Sequence, residues 1–306
     1  MIDIYFKSLK GDKFEKISDF KAGSWINIYN TTMDDLNKIA EVANLDLDHI
    51  LDTIDRYEIP RIEHVDSNVA IYCRHSSDNE EGLHTMTLSV IITKNHIITI
   101  CPYKSHIIDN LINSKTNITT TQKSKLLLFL LLKITQDFTT KIKKVRNIVI
   151  EQEYKMKNVT NEAIVLLTNN EEILNQYLAS LIPLRNLLEA TTTGRYIALY
   201  DKDYDILQDL MIAIKQSEDI CTLSIKSIRS LRDAYQILFT NSVNKTIKLL
   251  TAITIIFTIP TIISSIYGMN ISLPLASNPH AFFIIMNITI LISLICIYVF
   301  VRKKWL

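Results

Sequence analysis

Asn244, Ile247, Thr251, Thr254, Thr258, Thr261, Ser265 and Gly268 follow one another at steps of three and four, so any helix that contains them carries them on one face. Tyr267-Gly268-Met269-Asn270 then closes the run. Apart from the Met269 thioether, the polar side chains among them offer neutral oxygens, and none is charged, a His or a Cys. The chemistry open to them is hydrogen bonding. Hydroxyl stripes of this kind glue one membrane helix to another or line a path that holds water, and spacing by itself leaves both readings open.

Other chemistry finds no support. No GxSxG, P-loop, HExxH or dinucleotide fingerprint occurs, and 5 glycines in 306 residues are too few for a phosphate-cradling domain, so the chain does not read as an enzyme. His49, His64, His75, His84, His96, His106 and His280 show no metal-ligand spacing, and they read as ordinary surface or strand histidines. Cys73, Cys101, Cys221 and Cys296 form no CxxC pair and read as packing residues in a reducing compartment. Asp46, Asp48, Asp52 and Asp55 lack the spacing and glycine of a calcium loop and read as a solvated helix face. A formal net charge of +1 gives no sign of nucleic-acid binding.

The elements that must position the stripe follow from charge and periodicity. Leu249 to Val301 contains no Asp, Glu, Lys or Arg, which is enough for two bilayer spans of about 20 residues and a tight turn. The spans are predicted at about 247–266 and 281–301. Lys245 and Lys248 precede the pair and Arg302, Lys303 and Lys304 follow it, so both termini are predicted to be cytoplasmic and the turn external. The opening MIDIYFKSLKGDKFEK has no apolar core and predicts no signal peptide. The second span holds only Asn287, Thr289 and Ser293 as polar entries, which suggests that the first lines an axis while the second faces lipid.

Upstream, residues 1–118 read as an α/β domain, with strands in NVAIYCRH, HTMTLSVIIT and HIITICP, a hairpin turn at Lys94-Asn95, and a helix capped by Thr31 or Thr32 with Asp34 and Asp35 in its first turn. Residues 119–202 read as an antiparallel helical pair, one helix from about Gln122 to Lys157 and one from about Asn161 to Tyr200, folded at Asn158 to Asn161 and bent near Pro183. A stalk helix over 203–266 carries the seam Leu207, Leu210, Ile214, Ser217, Cys221, Ser224, Ile228, Leu231, Tyr235 and Leu238 and continues into the first span. The hydroxyl stripe is expected to continue that register. A turn at 267–280, the second span at 281–301 and a basic tail at 302–306 complete the order.

With this order in place, the chain resembles the CorA-type divalent cation transporters. Tyr267-Gly268-Met269-Asn270 at the end of the first of two C-terminal spans is similar to the family's Gly-Met-Asn signature, NKTIKLLTAITIIFTIPTIISSIYGMN resembles its first span, RYEIPRIE its N-terminal domain and RKKWL its basic tail. The resemblance covers essentially the whole chain. It implies an α+β cytoplasmic domain, a long stalk helix and two C-terminal transmembrane helices, assembled as a funnel-shaped homopentamer in the plasma (inner) membrane of a prokaryote, in contact with lipid and divalent cations and with no nucleic acid. It further implies that Asn244 stands at the cytoplasmic end of a central pore, with Ile247 and Leu250 at a hydrophobic constriction. Thr251, Thr254, Thr258, Thr261 and Ser265 would line the middle, and Tyr267, Gly268, Met269 and Asn270 would form the selectivity filter, with Asn270 meeting the hydrated ion.

The expected function is passive, gated passage of hydrated Mg²⁺, with Co²⁺ and Ni²⁺ as further cargo, driven by the membrane potential. Mg²⁺ is expected as both transported and regulatory ion, with Asp209 as one regulatory carboxylate, although DLMIAIKQSED lacks the Tyr-Asp-His typical there. The family often continues its signature with Met-Pro-Glu, whereas this chain has Leu273-Pro274-Leu275 and no carboxylate in the turn. Two other readings stay open: a zinc transporter of the ZntB branch, and a membrane-anchored coiled-coil scaffold without transport.

Overall fold

The computed structural model describes residues 1–9, 11, 13–77, 82–154, 160–275 and 278–305. Its chain divides into two compact units, Met1–Leu231 and Arg232–Leu306.

In the first unit, seven strands form one sheet: β1 (Ile2–Phe6), β2 (Glu15–Ile17), β3 (Trp25–Tyr29), β4 (Arg61–Val65), β5 (Asn68–Ser76), β6 (Thr85–Ile92) and β7 (Ile97–Cys101). Their order is β2-β1-β3-β7-β6-β5-β4, with β3 and β7 parallel and every other pair antiparallel. The hairpin expected at Lys94-Asn95 joins β6 to β7, closed by the Thr93 N–H donating to the His96 carbonyl at 3.0 Å. β5 is buried on nearly every residue because both of its faces are covered.

One face meets α1 (Met33–Ala43) and α2 (Leu47–Leu51), where Ile26, Ile28, Tyr72, Ile91, Ile98 and Ile100 cluster with Leu36, Ile39 and Ile50. Thr32 caps α1 in a reciprocal box with Asp35, which satisfies two backbone donors at the helix start. On the other face lie α3 (His106–Asn113), α4 (Lys123–Tyr154) and α5 (Asn161–Thr192). β1 to β4 and α3 carry short patterns that the sequence reading did not separate.

The second helix of the pair ends at Thr192, eight residues before the predicted end at Tyr200. Three consecutive threonines, Thr191 to Thr193, each bond a carbonyl three or four residues back, and Gly194 then takes φ +67° and donates to the Thr191 carbonyl. A glycine in the left-handed region stops a helix at this point. Pro183 sits inside α5, and the helix does not end there. The turn expected at Asn158 to Asn161 and the predicted end of the first helix at Lys157 fall at or beside positions 155–159, outside the described residues, as do Ala276 and Ser277 of the second turn and Leu306 of the basic tail.

α6 runs from Asp201 to Tyr267. Its seam residues from Leu207 to Leu231 are buried, and the chain's own α4 and α5 close over them within the first unit. Ser217 and Thr139 share a hydrogen bond of 2.6 Å, Cys221 Sγ donates to the Leu174 carbonyl at 3.2 Å, and Arg229 and Arg185 bind Glu171 and Glu218 at 2.6 and 3.0 Å. The seam is therefore an internal helix contact. It is not free to pair with a second copy as a coiled coil, and that removes the main support for the scaffold reading.

His75 on β5 is fully buried, its Nδ1 against the Ser76 carbonyl at 2.7 Å, and desolvation pushes its pKa down to about 4. His106, Asp137 and Lys141 are the titratable neighbours that act on it. The folded protein thus holds His75 neutral where the unfolded chain, with an ordinary value near 6.5, takes up a proton. Stability from this group is fully present above about pH 6.5 and falls as pH drops toward 4, by on the order of 3 kcal/mol. Urea midpoints read from the emission of buried Trp25 at pH 7.0 and 5.0 should show this loss, and His75→Gln should shrink it. An equal loss in both proteins would assign the acid lability to other groups.

Candidate functional site

The second unit comprises the C-terminal part of α6, the turn after Tyr267, and α7 (Ala281–Arg302). Both helices contain a stretch long and apolar enough to cross a membrane. α6 has no glycine to break it between Asp201 and Tyr267, and Pro260 lies inside it.

Every residue of the stripe is exposed on the single chain: Asn244, Ile247, Thr251, Thr254, Thr258, Thr261, Ser265 and Gly268, with Leu250 beside it. Ile247 and Leu250 are 54% and 58% exposed, whereas Ala252 is 0% exposed. The expected register needs correction here. Alternating steps of four and three from Leu238 reach Ser242, Lys245, Leu249, Ala252, Ile256, Ile259 and Ile263, and the last four are the covered positions of the span. The stripe is offset from them by two residues, about 200° around a helix at 100° per residue. Seam and stripe therefore occupy opposite faces of α6. Packing within the chain uses the first and leaves the second unpartnered.

Counting back from Asn244 by the same steps adds Thr240, Ile237 and Asp233, all exposed, and they line a shallow depression with Gln236 and Asn241. Asp233 is thus a carboxylate on the stripe that the sequence reading passed over. Extending the 3-4 spacing N-terminally would have found it.

The threonine hydroxyls have a common geometry. Thr251, Thr254, Thr258 and Thr261 donate to the carbonyls of Ile247, Leu250, Thr254 and Phe257 at 2.8, 2.9, 2.7 and 3.0 Å. A hydroxyl has one proton and two lone pairs, so each of these oxygens turns outward as an acceptor only. Such back-bonding is common for Thr in membrane helices. Its consequence here is that these four hydroxyls face outward as neutral acceptors with no free proton to offer.

At the end of α6 the Gly268 N–H donates to the Ser264 carbonyl at 2.9 Å and the Met269 N–H to Ile266 at 3.2 Å. A Cβ on Gly268 would stand 3.3 Å from the Ser264 oxygen, tighter than most side chains tolerate. The Tyr267 hydroxyl donates to the Pro274 carbonyl at 3.3 Å and ties the returning chain to the helix end. Met269 and Asn270 are exposed beyond it. Asn278 then accepts from the His280 N–H at 2.9 Å as α7 begins.

Asp209 is exposed on α6 in the first unit, away from these residues in sequence. Among the described residues no three His, Cys, Asp or Glu side chains gather where they could hold a metal ion. The donors of one chain therefore do not by themselves fit a regulatory cation at Asp209.

The comparisons with known proteins agree with this architecture. The family described as CorA-like Mg²⁺ transporter protein matches residues 20–304. The cobalt/magnesium transport protein CorA of Methanocaldococcus jannaschii is 27% identical over 294 residues, covering 92% of this chain and 91% of that one. Among solved structures, the complete CorA magnesium transporter of the same organism superposes with a TM-score of 0.85 at 24% identity, over 100% of this chain and 99% of the other. The cytoplasmic domain of ZntB from Vibrio parahaemolyticus shares the fold more distantly, with a TM-score of 0.64 at 8% identity over 78% of this chain and 98% of its own. Matched along nearly its whole length, the chain belongs to the CorA-like Mg²⁺ transporter family.

Proposed function

We propose that this divalent cation transporter works as a passive, gated channel for hydrated Mg²⁺, with Co²⁺ and Ni²⁺ as competing cargo. It acts as a homopentamer in a prokaryotic plasma membrane with both termini cytoplasmic. Five copies of α6 turn their exposed stripes toward a common axis. The observation that carries the reading is the acceptor face: four threonines whose protons are committed to backbone carbonyls.

Mg²⁺ is slow to shed its six waters, and those waters point their hydrogens outward. A wall of neutral acceptors binds such a hydrated ion through its waters, weakly enough to let it move on. Five Asn270 side-chain oxygens with nearby backbone carbonyls form the outer ring, held in place by the Tyr267-Pro274 bond and the close turn at Gly268. Ile247 and Leu250 close the path by dewetting when the five copies approach, and Asp233 receives cations on the same face below Asn244. The driving force is about 4.6 kcal/mol per 100 mV for a divalent charge.

The zinc reading fares less well. Zn²⁺ favours His nitrogen and Cys sulfur over neutral oxygen, and the stripe contains neither residue. Competition of Mg²⁺, Co²⁺, Ni²⁺ and Zn²⁺ for flux through purified protein in liposomes tests the assignment. Mg²⁺ uptake that rises with inside-negative potential and resists Zn²⁺ supports it, and uptake of Zn²⁺ alone overturns it.

Regulation by internal Mg²⁺ follows if Asp209 faces a carboxylate of a neighbouring copy, since a cation between them relieves their repulsion and favours a closed state. Asp209→Lys should bring its own cation and make closure less dependent on Mg²⁺. Protease protection of the first unit, titrated with Mg²⁺, measures this. An unchanged midpoint would leave Asp209 as a surface residue near a helix start.

A further inference from the structure

Three buried side-chain oxygens among the described residues have no hydrogen-bond partner, and Ser293 Oγ is the one that lies in a membrane span. Its neighbour Thr289 bonds its own helix, donating to the Ile285 carbonyl at 2.8 Å, whereas Ser293 makes no such bond. Water cannot serve a hydroxyl in the hydrocarbon region, so an unpaired one there is costly.

The same unit holds the complementary defect. Pro260 inside α6 has no N–H, and the carbonyl four residues back, on Ile256, loses its helical donor. Ile256 belongs to the covered face of α6 with Ala252, Ile259 and Ile263. Ala252 is fully buried, and α7 is the other helix of this unit that can cover it. The less exposed positions of α7 run through Ile285, Thr289, Ser293 and Cys296, again at steps of four and three. Depth agrees as well. Counted from the two helix ends that the turn joins, Ile256 lies eleven residues in from Tyr267 and Ser293 twelve in from Ala281, a difference of about 1.5 Å along an α-helix.

We propose that the Ser293 hydroxyl is the hydrogen-bond donor for the Ile256 carbonyl left open by Pro260. Ser293 is then a positioning residue: it ties α7 to the proline site of α6, level with Thr254 and Thr258 on the opposite face. The bond is open in this structure, and making or losing it changes how far the two helices are coupled at that depth.

A double-mutant cycle on the full-length protein tests this, with the thermal midpoint of the detergent-solubilised protein as the readout, which does not depend on the transport reading. Ser293→Ala should lower the midpoint in the native background and change nothing in Pro260→Ala, where an N–H again reaches Ile256. Liposome Mg²⁺ flux, whose interpretation rests on the channel reading, should change about threefold in the native background only, the size of one hydrogen bond between membrane helices. An equal effect of Ser293→Ala in both backgrounds, or none in either, overturns the proposal. If Pro260→Ala does not assemble, Ser293→Thr and Ser293→Val provide the test: they differ by a hydroxyl at nearly constant volume. Thr should match the native protein and Val should match Ala, and equal behaviour of Thr and Val overturns the assignment.

Discussion

Asn270→Ala is expected to cut Mg²⁺ flux at least about tenfold while the protein still assembles. The asparagine is exposed just beyond the end of α6, so removing its amide opens no cavity. The change deletes one acceptor per copy. At roughly 1 kcal/mol for each hydrogen bond lost, the five acceptors of the proposed pentamer amount to more than a tenfold change even if only part of the ring is engaged at once. Asn270→Asp separates the geometry of the ring from its charge: it retains acceptors, adds up to five negative charges and should bind cations more tightly while releasing them more slowly. The measurement is Mg²⁺ uptake into liposomes by variants whose oligomeric state is verified by size exclusion. Native flux through a correctly assembled Asn270→Ala protein would sink the filter assignment.

The second large effect is expected at the other end of the stripe. Ile247→Gly or Leu250→Ala should raise Mg²⁺ leak at high internal Mg²⁺ severalfold or more, because a narrow apolar ring excludes water only while it is both narrow and apolar. Both side chains are more than half exposed on the single chain and bury little against it, so truncating them removes few packing contacts. On the proposed channel reading, their loss is felt in the assembled pore. Leak that stays at the native level in both variants would move the constriction elsewhere along α6. Leu250→Ile, which keeps the apolar volume, should behave as the native protein does.

The two apolar helices and the end of α6 at Tyr267 were legible in the sequence for a simple reason. An uncharged run from Leu249 to Val301 with cations on both flanks has few structures open to it, and the turn at Tyr267-Gly268-Met269-Asn270 falls where the first apolar run must stop. The Thr32 cap and the hairpin at Lys94-Asn95 were readable because they depend on residues adjacent in the chain. The end of α5 was not. Apolar periodicity continues past Thr192, and the helix stops because threonine hydroxyls and Gly194 take over its last carbonyls, a competition that a pattern of apolar residues does not register.

The relation between seam and stripe shows the division most clearly. Sequence determines which residues share a helical face, since 3.6 residues per turn places Thr251, Thr254, Thr258 and Thr261 together and Ala252, Ile256, Ile259 and Ile263 together. It does not determine which face a neighbour takes. Only the tertiary structure showed that α4 and α5 close over the seam, that Ala252 is buried while the threonines stay exposed, and that the threonine protons point back at their own helix. Burial is a property of pairs of elements far apart in the chain, and a period read along one helix holds no information about its partner. The unpaired Ser293 hydroxyl is visible only once both helices are folded together.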